Sequence, residues 1–247
     1  MEKIKKTISI ITVCYNCKKS LKKTIKSVTS QTYQNKEFII IDGYSHDGTA
    51  DLVNSYASTI DVFISEPDKG IYDAMNKGIK LSSGEWLIFM NAGDTFYDEN
   101  VLTHIFEENI SKDIQFIYSD YFIKLCNGEI RKRVTNRHKG IVHHQSSIYR
   151  RKLHSQYGLY IVTHPYIISD LMFFLSIPED NFIKVDTPIA LIEDGGASAG
   201  TWSREQANCI RFIYGISPFW HIISDHFKMN IGIFVKKLVH ICSFSKK

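Results

Sequence analysis

Apolar residues follow two rhythms along the first part of the chain. Thr7–Cys14 (TISIITVC), Lys36–Asp42 (KEFIIID) and Glu85–Met90 (EWLIFM) are near-continuous apolar runs of strand length. Such runs are expected of strands buried on both faces. Asp61–Ser65 is a shorter run of the same kind. Between these runs the period lengthens. Lys18–Gln31 places Leu21, Ile25 and Val28 at helical spacing with lysines on the other face, and Gly48–Ser58 and Gly70–Leu81 read as further helices. Alternating strands and helices predict an α/β fold, with a mostly parallel central sheet and flanking crossover helices. Ligands of such sheets sit at the carboxyl ends of the strands. Those ends are the loops Tyr15–Cys17, Gly43–Asp47, Glu66–Lys69 and Asn91–Asp94, all rich in polar residues and glycine.

The second half is less regular. Gln115–Leu125 and Glu129–Val134 flank Cys126-Asn127-Gly128, an Asn-Gly hairpin signal. Gln145–Tyr149 and Phe182–Ile192 predict strands, and Ile167–Ile177 a helix containing Asp170. Glu193–Thr201 (EDGGASAGT) reads as a flexible loop, and Trp202–Phe244 as two or more amphipathic helices. The expected organisation is one domain over residues 1–203, in two halves, 1–105 and 106–203. A C-terminal helical extension, 204–247, follows it.

Composition narrows the class. At 247 residues and 44% hydrophobic, the chain can bury one sizeable core. It has no apolar run of about 18 residues, so no spanning helix is expected. The start, MEKIKKTISIITV, lacks a small-residue cleavage site and reads as a strand rather than a signal peptide. The five cysteines show no disulfide spacing, and reduced thiols in a cytoplasmic protein are expected. Cys14 and Cys17 have CxxC spacing but no second pair to complete a metal site. No GxxxxGK[ST] or GxGxxG string occurs, and nucleic acid is not an expected partner. The net charge of +4 is uneven. Residues 124–152 carry 9 basic side chains against 1 acidic, while residues 1–123 carry 13 against 17. Basic blocks suit phosphates or anionic membranes, and they also suit plain solvated faces.

Four strings appear in a fixed order: IITVCYN (10–16), IIIDGYSHDGT (39–49), EPDKGIYDAMNKGI (66–79) and FMNAGD (89–94). This series resembles the family 2 glycosyltransferases, whose fold is of the GT-A type. Within that family it is similar to bacterial enzymes that build O-antigen and colanic-acid repeat units. The resemblance implies a UDP-sugar donor. Asp42 would meet the uracil imide, Tyr15 would stack on the base, and Val13 would offer it backbone groups. Lys69, Asp73, Asn76 and Gly93 would complete the nucleotide-sugar site. Asp94 would hold Mn²⁺ or Mg²⁺ against the departing diphosphate. The family motif carries two or three acidic residues where NAGD carries one, so metal affinity is expected to depend on bound nucleotide. Asp170 would be the catalytic base of an inverting transfer, with Glu193 and Asp194 as competitors. His144 and Gln145 would meet the acceptor, a sugar linked through diphosphate to a polyprenyl lipid. The favoured transfer is of glucose or galactose, β1,3, onto an N-acetylhexosamine.

Turn or cap roles remain open for Asp42, Lys69, Asp73 and Asp170. The basic stretch 124–152 and the C-terminal helices agree with peripheral attachment to the inner face of a plasma membrane, or with a dimer contact. A degenerate domain that binds nucleotide and scaffolds an assembly complex is the alternative.

Overall fold

The computed structural model describes residues 7–107, 110–163, 166–195 and 201–228. Its first half runs β1 (Ile8–Cys14), α1 (Lys18–Thr29), β2 (Lys36–Asp42), α2 (Thr49–Asn54), β3 (Val62–Ser65), α3 (Ile71–Leu81) and β4 (Trp86–Phe89). Every residue of β1 is buried, because β2 and β4 pair with it in parallel on its two sides and helices cover both faces. On α1 the inward face is Leu21, Thr24, Ile25 and Val28. On α3 it includes Tyr72, Met75 and Ile79. A Cβ at Gly78 would lie 2.4 Å from Ile11 Cγ2. Only glycine lets α3 approach β1 that closely.

The chain continues through β5 (Thr95–Phe96), α4 (Val101–Glu107), β6 (Phe116–Ser119), β7 (Tyr121–Lys124), β8 (Ile130–Arg133), β9 (Ser147–Arg150), α5 (Leu153–Tyr157), α6 (Ser169–Ser176), β10 (Phe182–Val185), β11 (Ala190–Glu193) and α7 (Thr201–Ile213). Residues 219–228 are helical as well. The seven-stranded sheet has the order β10-β6-β9-β4-β1-β2-β3, and only β9 runs antiparallel to its neighbours. A second sheet has the order β5-β11-β7-β8. No described helix is long and apolar enough to cross a membrane.

Two expected strands prove to be two strands each. Gln115–Leu125 breaks at Asp120. Its first part, β6, is buried in the large sheet, and its second, β7, is half-buried in the small one. Phe182–Ile192 breaks between β10 and β11, where Pro188 has no N–H to continue a ladder. The expected hairpin forms between β7 and β8, with Gly128 in the left-handed region at φ 84°. Of the loop at 193–201 and the helices at 202–244, residues 196–200 and 229–247 lie outside the described residues. Several side chains of the basic stretch meet acidic partners. Arg131 pairs with Glu129, Lys132 with Asp120, and Arg137 is buried beside Glu179. The charged residues of β8 instead line the outer strand of the small sheet, where charge discourages pairing with another chain.

Asp120 joins the two sheets. It bonds Lys184 of β10, Lys132 of β8 at 3.0 Å and the Thr135 amide at 2.9 Å. Burial would raise its pKa, but these partners overcome burial and hold it well below the usual carboxylate range. A depressed folded-state pKa contributes stability above the unfolded value of about 3.9 and loses it as pH falls further. Asp120→Asn is therefore expected to cost about 1–3 kcal/mol at neutral pH. In urea titrations the gap to the parent should close as pH drops below about 4; a gap independent of pH would refute the assignment.

Candidate functional site

The carboxyl ends of β1, β2 and β4 share one edge of the large sheet, so their loops meet there. Polar side chains stitch the first two loops together. Asn16, left-handed at φ 47°, donates its amide to Ser45 Oγ at 2.7 Å. It also accepts the His46 amide at 2.9 Å, and Asp47 accepts the Lys18 amide at 2.8 Å. Thr24 of α1 fixes the third loop. Its buried hydroxyl donates to Asp94 O at 2.7 Å and accepts the Gly93 amide at 2.9 Å. These bonds shape a cleft of about 740 Å³.

Of the residues singled out from sequence, Val13, Tyr15, Lys69, Gly93, Asp94, His144 and Gln145 line this cleft, as do Glu193 and Asp194. Tyr15 is 63% exposed there. Four others do not line it. Asp42 is fully buried, and its carboxylate accepts from the Ser45 amide at 3.0 Å, the Ser45 hydroxyl and Ser65 Oγ at 2.6 Å. The carboxylate on the wall at that end is Asp68. One of its oxygens accepts the Gly70 amide at 2.8 Å, and the other lies against Gly43, where a Cβ would meet it at 2.5 Å and Tyr15 at 3.2 Å. Asp73 accepts the Lys69 amide at 3.0 Å, a helix-start contact. Asn76 is buried and holds both the amide and the carbonyl of Tyr160, pinning the segment before α6. Asp170, in the first turn of α6, sits behind Tyr72 and His144.

A chain of hydrogen bonds also runs along the cleft. Tyr72 O–H donates to Asp170 Oδ1 at 2.7 Å, and His144 Nδ1 lies 2.9 Å from Asp170 Oδ2. His144 Nε2 lies 3.0 Å from Asn91 Nδ2. His143 stacks between Tyr121 and His144. Burial would raise the Asp170 pKa. The hydrogen bonds from His144 and Tyr72 outweigh it and bring the value down to about 2. Asp94 goes the other way. Burial pushes it up to about 6, only partly offset by the Gln145 hydrogen bond and by His144, with Glu193 adding to the rise. Burial also lowers His143 to about 4, so its ring is neutral.

Whether these residues fit a divalent cation can be judged from their unmet bonds. Gln145 Nε2 takes one Asp94 oxygen at 2.7 Å, and the other has no hydrogen-bond partner among the described residues. The side-chain oxygens of Asn91 and Gln145 are buried without partners in the same wall. No group of three His, Cys, Asp or Glu side chains forms a metal site among the described residues. One carboxylate with neutral hard oxygens nearby suits Mg²⁺ or Mn²⁺ whose shell is completed by phosphate and water.

Sequence reasoning passed over Asp68, Tyr72, Asn91, His143 and Thr24. Asp68, Tyr72 and Asn91 stand inside strings already quoted, and His143 adjoins the His144-Gln145 pair. Thr24 had a readable signal, a hydroxyl on the apolar face of a helix.

A family model described as Glycosyl transferase family 2 matches residues 9–158. A PGL/p-HBAD biosynthesis glycosyltransferase of Mycobacterium bovis is 29% identical over 164 residues, 62% of this chain and 62% of the relative. The chain thus aligns with less than two thirds of that relative's length. The UDP-Glc:alpha-D-GlcNAc-diphosphoundecaprenol beta-1,3-glucosyltransferase WfaP of Escherichia coli is 33% identical over 118 residues, 47% of each protein. Two crystal structures share the fold. S. aureus TarS 1-349 in complex with UDP-GlcNAc has a TM-score of 0.69 at 16% identity, covering 85% of this chain and 66% of that one. The mannosyltransferase PcManGT from Pyrobaculum calidifontis, in complex with GDP-Man and Mn²⁺, has a TM-score of 0.65 at 15% identity, covering 90% and 69%.

The role of Thr24 can be checked by thermodynamics alone. Thr24→Val keeps the shape and strands the Gly93 amide. It should cost about 1–3 kcal/mol in urea unfolding; a cost near zero would show that the loop needs no such anchor.

Proposed function

The chain belongs to glycosyl transferase family 2, and from that premise we propose that it transfers a hexose, with inversion, from a UDP-sugar to a lipid-diphosphate-linked N-acetylhexosamine. One observation carries the reading. Beside a single cleft lie a buried carboxylate with unpaired hard oxygens nearby and a second, doubly hydrogen-bonded carboxylate whose side chain stays 17% exposed. The first suits a departing diphosphate and the second suits an attacking hydroxyl.

Under this reading Tyr15 stacks on the base, and the free oxygen of Asp68 accepts its imide N–H. Asp42 serves the base indirectly, by fixing Ser45 and the loop that begins at Gly43. Lys69 offers its charge to the phosphates, and Gly93 lets the backbone approach them. Asp94 would hold a divalent ion, which would supply positive charge to neutralise the departing diphosphate. The acceptor hydroxyl attacks the anomeric carbon on the face opposite the nucleotide. Its proton passes to Asp170 as the bond to the UDP oxygen breaks. Gln145, with an unpaired buried oxygen, accepts from the acceptor sugar. Glucose as donor and a β1,3 bond are supported by similarity to WfaP, a UDP-Glc-dependent beta-1,3-glucosyltransferase. The work belongs to surface-polysaccharide assembly, at the cytoplasmic face of the membrane. Exposed aromatic and aliphatic residues between Phe212 and Phe227 support peripheral attachment there.

The test is UDP release from a panel of UDP-sugars with Mn²⁺ or Mg²⁺, with and without a synthetic N-acetylhexosamine-diphosphate-lipid. Acceptor-dependent release from one donor is expected. Asp170→Asn should lower turnover by at least about 100-fold while UDP still binds. Binding of UDP with no release from any donor would favour the scaffold alternative, which the single acidic residue of NAGD keeps in play.

A further inference from the structure

His144 lies on the cleft wall, where the acceptor was expected to meet it, yet both of its ring nitrogens are spent inside the protein. An ionised carboxylate only accepts, so Nδ1 carries the proton toward Asp170 Oδ2. The Nε2 lone pair then accepts from Asn91 Nδ2. That tautomer leaves no nitrogen for a sugar hydroxyl. The ring instead bridges two segments far apart in sequence. On one side is α6, which carries Asp170. On the other is the loop after β4, which begins at Asn91 and ends at Asp94.

We infer that His144 is a positioning residue, which holds Asp170 ionised and aimed and ties it through Asn91 to the loop carrying Asp94. The inference rests on the transferase reading above. In an inverting transfer the hydroxyl and the leaving oxygen must lie on opposite sides of one carbon. A rigid link between the two carboxylates fixes that separation before either substrate arrives. Tyr72 clamps the second oxygen of Asp170, so the carboxylate cannot rotate. The other titratable groups near Asp170 are His143, and Tyr149 and Tyr160, whose hydroxyls bond each other at 2.8 Å. Only His144 and Tyr72 hydrogen-bond Asp170 through their side chains among the described residues.

Two measurements test this. The first needs no substrate. ¹⁵N NMR of the free protein should show His144 protonated at Nδ1 and bare at Nε2. An Nε2–H tautomer or an averaged ring would overturn the inference. The second is the pH dependence of kcat for His144→Leu and His144→Asn, with Asp170→Asn and Tyr72→Phe in parallel. Leucine removes the donor to Asp170, whereas asparagine can supply an N–H in place of Nδ1. His144→Leu should lower kcat by on the order of 10–100-fold, with acceptor KM nearly unchanged. Its acid limb should move up by about 1–3 units. His144→Asn should recover most of kcat and return the limb toward the parent. Tyr72→Phe should move the limb in the same direction and remains informative if His144→Leu does not fold. An inactive Asp170→Asn beside a His144→Leu limb that stays put would overturn the inference alone. So would a raised acceptor KM at unchanged kcat. Parental turnover by Asp170→Asn would remove the base reading itself.

Discussion

The arrangement of the site follows from the parallel pairing of β1 with both β2 and β4. Three strands buried side by side and running the same way must release the chain at the same edge. Each release is a loop with backbone groups the sheet no longer satisfies. The tightly spaced polar residues after each strand answer that need first. Asn16, Ser45 and Asp47 bond neighbouring loops, and Asp42 is consumed at the root of its own. What the edge offers a ligand is an exposed aromatic ring at Tyr15, an Asp68 oxygen with no hydrogen-bond partner among the described residues, and the buried Asp94 carboxylate on the cleft wall.

This division explains what could be read from the chain. The strands and helices up to Met90 were legible because buried parallel strands and amphipathic helices carry strong, different periods. The family strings were legible because their order is unusual. What each acidic residue does within a string was not. Asp42 and Asp68 both follow strands, and nothing local tells which one the folded loops turn inward. Asn76 shares a string with Lys69 but spends its amide on Tyr160, 84 residues later. Such partners are set by the tertiary path, which periodicity does not encode.

The second half was harder for a related reason. Gln115–Leu125 is one apolar run, yet it serves two sheets, and the switch rests on Asp120 meeting Lys132 and Lys184. A single charged residue within an apolar run reads equally well as an outward-facing strand position. Likewise the charge count of residues 124–152 suggested a patch, while Arg131, Lys132, Arg137 and Arg150 each meet an acidic side chain. Net charge over a window describes composition. A docking surface depends on which of those charges remain unpaired after folding.

The two carboxylates of the cleft show how one wall can support opposite tasks. Asp94 is buried and, among the described residues, receives a side-chain hydrogen bond only from Gln145, so its charge is poorly compensated. Asp170 is also enclosed but receives two directed hydrogen bonds, so its charge is well compensated. Environments that push paired carboxylates apart in this way assign them different roles. A poorly compensated anion lowers its energy by taking up a cation, which suits the place where phosphate charge must be neutralised. A well-compensated anion keeps its proton-accepting form at any working pH, but stabilisation also makes it a weaker base. The transfer we propose tolerates that weakness. The hydroxyl becomes strongly acidic only as its oxygen bonds to the anomeric carbon, so a base that is always ionised and correctly aimed serves better than a stronger one that is free to turn.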